Sequence, residues 1–286
     1  METTSAQLLR KAHATSDIDE LVDIGCNLAD SDEAGGAEYC FRRASDLGDA
    51  VAAFNLGNTL AGQKRFREAV DAYELALERG ETDAWLNLGK VLHELGDLAG
   101  EMRAYQQAER AGDRAGALML AFARREQGER DAAFEAVERA SAAGNERAAA
   151  VLACWRWDES LDPSLEPALR AGAELYPSAR SDLGQLLVNT GRVEEGRLVY
   201  LRGVELGEVD SMVPLGNLYA NVFGDDTAAE AAYRAGAELG DPHAHHNLAV
   251  LLKRRGDLAG AERHFRHAAE CGDTLAGAAL QDLLED

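Results

Sequence analysis

The chain has 286 residues, 46% apolar and 28% charged, a balance that excludes a disordered polypeptide. Its 28 glycines and five prolines lie in an alanine-rich background, which favours interrupted helices over a β sandwich or barrel. Fifty-one acidic against 29 basic residues give a net charge of −22, so a phosphate backbone is repelled and nucleic-acid binding is not expected.

The first twenty residues carry no apolar run behind a basic start, so no signal peptide is expected, and no stretch is apolar enough to insert in a membrane. Cys26, Cys40, Cys154 and Cys271 are too few and too scattered for a disulfide framework and read as small apolar fillers. A cytoplasmic protein is expected.

Taken in chain order, residues 1–17 read as an N-terminal cap or a disordered tail. Leu8, Leu9 and Ala12 share a face of a short helix over 5–14, which otherwise frays with Met1-Glu2-Thr3-Thr4. From residue 18 a repeat sets in. A Leu-Gly or Leu-Ala pair (Ile-Gly in the first unit) recurs at Ile24, Leu56, Leu88, Leu120, Leu152, Leu183, Leu215 and Leu248, at intervals of 31 to 33 residues. Most pairs are followed 17 residues later by a large apolar residue: Phe41, Tyr73, Tyr105, Val137, Leu169, Tyr200 and Phe265, with Tyr233 one place late. Three positions further on stands Ala or Gly, as at Ala44, Ala76, Gly203 and Ala268.

Each unit reads as two antiparallel amphipathic helices. In the second unit Phe54, Leu56 and Leu60 mark the first helix, and Phe66, Ala69, Val70, Tyr73 and Ala76 mark the other. Turn glycines such as Gly96, Gly128, Gly191 and Gly256, and closing glycines such as Gly48 and Gly240, suit the left-handed position that ends a helix. The Gly240-Asp241-Pro242 run combines stop, cap and start. Small residues such as Gly57 and Ala76 make room at the junctions for a neighbouring backbone or a large side chain.

The fifth unit departs from the pattern over 149–180. It holds Trp155 and Trp157, prolines at Pro163 and Pro167, Leu165 where a small residue belongs, and Tyr176-Pro177 in place of Gly-Asp. It is expected to be a drifted unit or a bend that separates two subarrays. Residues 276–286, with Leu280, Leu283 and Leu284, read as a C-terminal capping helix with Glu285 and Asp286 facing water.

Position by position, the chain resembles the tetratricopeptide repeat family over residues 18–275. Leu56, Gly57, Ala69, Tyr73 and Ala76 carry the likeness, as do Leu248, Ala249, Ala261, Phe265 and Ala268, with Trp85 at the family's tryptophan position. The unit is shorter than the family's usual ~34 residues, and its Gly-Asp link is also similar to Sel1-like repeats. The resemblance implies an all-α, right-handed α-solenoid of about eight antiparallel helix pairs plus a terminal capping helix.

It further implies that the first helices line a concave groove. The groove positions lie two before, two after and five or six after the first member of each pair. They give Phe54, Asn58 and Ala61; Leu86, Lys90 and His93; Leu118, Phe122 and Arg125; Cys154 and Trp157. The later units add Ser181, Gln185 and Val188; Val213, Asn217 and Asn221; His246, Val250 and Lys253. Phe54, Asn58, Leu86, Lys90, Phe122, Arg125, Trp157, Gln185, Asn217, Asn221 and His246 are the expected partner-binding residues. Asn58, Lys90 and Arg125 form only part of the family's carboxylate clamp, because Phe54 stands where its first lysine belongs.

No phosphate loop, HExxH or GxSxG element occurs, so no catalytic residues and no enzyme are expected. His243 and His246, and His264 and His267, are two helical pairs without a completing ligand; no metal and no cofactor are expected. The expected function is a non-enzymatic scaffold whose groove binds a peptide or a protein with basic segments. The alternatives are a self-associating assembly module using its outer face or ends, and a ligand-responsive sensor with a pocket near Trp155 and Trp157.

Overall fold

A computed structural model of the protein describes residues 4–285. The readings of a frayed Met1-Glu2-Thr3 and an outward Asp286 lie outside the described residues. Among those residues all regular structure is helical. The chain divides into two compact units, residues 1–145 and 146–286.

In the first unit α1 (Ser5–Ala14) precedes four helix pairs. These are α2 (Ile18–Asp30) with α3 (Ala34–Asp46), and α4 (Ala50–Gly62) with α5 (Phe66–Glu78). There follow α6 (Ala84–Glu94) with α7 (Leu98–Arg110), and α8 (Gly116–Glu126) with α9 (Arg130–Ala142). Helix α1 buries Ala12 on this stack, and Arg43 Nη1 donates to the Ala12 carbonyl at 2.5 Å.

The second unit opens with the irregular repeat: α10 (Glu146–Ser160), a single 3-10 turn over Pro163–Leu165, and a short α11 (Glu166–Gly172). Then come α12 (Pro177–Asn189) with α13 (Val193–Glu205), and α14 (Val209–Leu218) with α15 (Asp226–Glu238). The last pair, α16 (Pro242–Arg254) and α17 (Leu258–Glu270), is followed by α18 (Thr274–Glu285). Helix α18 seats Ala276, with Ala279, Leu280 and Leu283, against the cluster of Ala249, Ala261, Phe265 and Ala268.

The repeated glycines explain why the pairs close so tightly. A Cβ placed on Gly57 would lie 2.5 Å from Tyr73 Cε1, and on Gly89, Gly184 and Gly216 it would meet the rings of Tyr105, Tyr200 and Tyr233 equally closely. In these four pairs the tyrosine ring of the second helix therefore lies against bare backbone of the first, whereas in the last pair Phe265 packs with Ala249. Where the first helix carries Ala121 or Ala153 instead, the partner is the smaller Val137 or Leu169. The second small position faces the next repeat: a Cβ on Gly236 would lie 2.8 Å from Ala244 Cβ, and one on Gly172 would lie 3.2 Å from Ala179 Cβ.

Helix ends follow the sequence signals. Gly240 has φ +83°, Asp241 Oδ1 accepts from the His243 amide at 2.8 Å, and Pro242 begins α16. Of the four free cysteines, Cys40 and Cys154 fill buried space, whereas Cys26 and Cys271 are exposed and fill none.

Candidate functional site

Outside the irregular fifth unit, where Cys154 is buried, the residue two places after each pair's first member is the one the fold leaves open. Asn58, Lys90, Gln185, Asn217 and Val250 are exposed there, and Phe122 is half-buried. The residue two places before it is turned towards a neighbouring side chain or the next repeat. Phe54 is half-buried with its ring centroid 6.1 Å from that of Tyr73, and Leu86 is likewise half-buried. Leu118 is buried, and Ser181 Oγ donates to the Asp210 carbonyl of the following repeat at 2.9 Å. His246 follows the same rule. Its Nδ1 lies 3.0 Å from Asp273 Oδ2 and its ring packs edge-on to Phe265, so it braces the junction with α18.

Trp157 needs a second correction. It is only 1% exposed, and its indole N–H donates to Gln185 Oε1 at 3.2 Å. A buried tryptophan needs a partner for that N–H, and here the next repeat supplies it. The ring belongs to the core of the second unit and offers no surface to a partner, and Cys154 and Trp155 beside it are also buried. Arg125 and Asn221, at the third groove position, are exposed.

Two asparagines are held in the same way in the two units. Tyr73 Oη donates to Asn58 Oδ1 at 2.8 Å, and Asn87 Nδ2 of the next repeat donates to the same oxygen at 2.9 Å. In the second unit Tyr233 Oη donates to Asn217 Oδ1 at 2.7 Å and Asn247 Nδ2 does so at 3.2 Å. Both lone pairs of each carbonyl oxygen are thus used, and the amide hydrogens of Asn58 and Asn217 remain for a ligand. Lys90 joins the first network by donating to Asn87 Oδ1 at 3.1 Å. Asn58 and Lys90 are therefore brought together through Asn87.

In the second unit this face deepens into a cavity of about 400 Å³ between α12 and α14. Gln185, Asn189, Asn217 and Asn221 line it with Val188, Pro214, Leu218 and Val222, and no charged side chain does. Pro214 shapes it. It removes the amide that would bond the Asp210 carbonyl, the group that Ser181 satisfies from α12. Past Leu218 the helix widens into a π turn over Tyr219–Phe223, which leaves Val222 and Phe223 exposed.

The sequence reading missed Asn87 and Asn247. Their signal is an Asn directly before a Leu-Gly or Leu-Ala pair, one repeat after an Asn that follows such a pair. It also missed Asn189, Pro214 and Val222. The histidines assemble differently from their helical spacing: His245 and His264 approach through their Nδ1 atoms at 2.8 Å, and the tilted His267 ring has its centroid 4.1 Å from that of His245. Among the described residues no three side chains converge as metal ligands, and no helix is long and apolar enough to cross a membrane.

Beneath the cavity wall, burial lifts the Asp182 carboxyl to about 6; the Asp158 and Asp210 charges add to this, and a bond from the Cys154 thiol opposes it. The Cys154 thiol itself is pushed far up, mainly by burial. The Cys154 thiol therefore stays protonated at neutral pH.

Models of the tetratricopeptide repeat match residues 54–115 and 243–277. The structure of a Sel1 repeat protein from Oxalobacter formigenes is 19% identical, covers 97% of this chain and 90% of its own, and superposes with a TM-score of 0.67. Yeast Tom70 is 14% identical and covers 88% of this chain and 58% of its own, with a TM-score of 0.56. No curated protein matches. The chain thus carries tetratricopeptide repeats at residues 54–115 and 243–277, and its paired-helix fold is that of the Sel1 repeat structure.

Proposed function

We infer that the chain is a non-enzymatic scaffold that binds an extended segment of a partner protein along the first-helix face of each unit. The observation that carries this reading is the pair of oriented asparagines. With their oxygens engaged by a tyrosine and the next repeat's asparagine, Asn58 and Asn217 present fixed N–H donors to backbone carbonyls. Preorganised donors lose little rotamer entropy on binding. The apolar floor of Val188, Leu218 and Val222 then accommodates side chains of the bound segment. Partners carrying basic segments are favoured at long range by the net charge of −22.

Peptides selected from a random display library on the intact chain test the reading. Their affinity is expected to fall at least about tenfold, roughly 1.4 kcal/mol, in Asn58→Ala/Asn217→Ala, with helical content unchanged. Failure to select any peptide, or equal binding by the variant, defeats it.

A further inference from the structure

One helical turn beyond the open groove position, most repeats carry a charge: Asp30, Glu94, Glu126, Asp158 and Arg254, with Gly62 in the second. Two consecutive repeats break this pattern. They hold Asn189 and Asn221 there, four residues after Gln185 and Asn217. Residues four apart share a helix face, so carboxamides stand in one pair on α12 and in another on α14 and its π turn. The cavity of about 400 Å³ lies among these four side chains, and among the described residues its lining carries no charge.

The core fixes what two of them offer. Trp157 donates its indole N–H to Gln185 Oε1, and Asn217 Oδ1 accepts from Tyr233 and Asn247. Gln185 and Asn217 therefore present amide hydrogens to the cavity. Asn189 and Asn221 make no side-chain hydrogen bond among the described residues, and each has both a carbonyl and an amino group to give.

We propose, on the basis of the groove reading above, that this cavity selects one side chain of the bound segment, and that this side chain is a carboxamide, glutamine or asparagine. The segment's backbone passes over the open Asn217 amide while the side chain enters the cavity. Its carbonyl accepts from Gln185, its amino group donates to Asn189 or Asn221, and its methylenes rest on Val188 and Val222. A carboxylate would meet no cation in the lining, in a chain of net charge −22. An ammonium would face the amide hydrogens of Gln185 where it needs acceptors. An aliphatic side chain would leave those hydrogens unpaired, the loss by which a hydrogen-bonding site rejects an analogue without the polar group.

The test selects peptides from a random display library on the intact chain and measures the selected sequences by fluorescence anisotropy. They are expected to share a glutamine or asparagine at one position. Replacing that residue by glutamate, lysine or leucine is expected to lower affinity at least about tenfold. Selection on Asn189→Asp/Asn221→Asp shifts the preference at that position to lysine or arginine, whereas Asn58→Ala in the first unit leaves the preference as it was. Selected peptides without a shared carboxamide, or equal binding after its replacement, overturn the pocket's role and leave the groove reading standing. So does an unchanged preference in Asn189→Asp/Asn221→Asp. Failure to select any peptide defeats both.

Discussion

At the scale of single residues, the stack rests on the absence of a methyl group. Alanine is the better helix former by about 1 kcal/mol, yet a Cβ on Gly57 falls 2.5 Å from the ring of the buried Tyr73. The ring cannot retreat without moving its hydroxyl from Asn58. Gly57→Ala is therefore expected to destabilise the chain by about 1–3 kcal/mol, seen as a lower urea midpoint. Adding Tyr73→Leu restores part of the loss, because Ala with a smaller aliphatic partner is the arrangement of Ala153 with Leu169. Asp182 gives a residue-scale prediction of opposite kind. Its folded pKa of about 6 lies above the unfolded carboxylate value, so the fold favours the neutral form. The stability of the neutral acid is fully present below about pH 4 and is lost as pH rises through 6. Asp182→Asn is expected to be more stable than the parent near neutral pH by on the order of 1 kcal/mol, allowing for partial exposure. Denaturation at a series of pH values checks this, since the advantage must vanish near pH 4.

At the scale of elements, the kink of α14 and its support from α12 form one device. Pro214 strips the Asp210 carbonyl of its helical donor and Ser181 replaces it. Ser181→Ala is expected to cost about 1 kcal/mol in the parent, the net worth of one hydrogen bond. It costs less in Pro214→Ala, where the restored amide serves the same carbonyl. A double-mutant cycle measures that coupling, and a coupling of zero refutes the arrangement. Elements of this kind also mark what the sequence disclosed. The helix pairs and their closing glycines were legible because each follows from steric facts local to one repeat. The orientation of groove residues was less so. Whether the residue before or after a Leu-Gly pair is open depends on the next repeat, which turned Ser181 and His246 inward. Trp157 was misread because its partner, Gln185, lies one repeat on. The short α11 and the π turn at Tyr219–Phe223 come from residues removed or added at a turn, and the period alone does not say how the backbone absorbs them.

At the scale of the whole molecule, each repeat gains its stability from its neighbours, so the ends of the array are its weakest places. Helix α18 is what the second unit offers at its last repeat. Ala276 is fully buried, and Ala279, Leu280 and Leu283 pack on Phe265 and Ala268, while His246 reaches Asp273 at the start of the same helix. Leu275 and Leu284, at 72% and 62% exposure, add nothing to that cover. Replacing the inward pair, Leu280→Asp/Leu283→Asp, places two carboxylates against an apolar surface and should lift α18 away. The loss then propagates one repeat before it meets intact packing. Amide hydrogen exchange in α16 and α17 is expected to quicken at least tenfold, about 1.4 kcal/mol in local opening, whereas α12 and α13 keep their protection. The matched outward change, Leu275→Asp/Leu284→Asp, leaves exchange in α17 unaltered. If the inward pair leaves α17 protected, α18 is not a cap and the last repeat closes on its own.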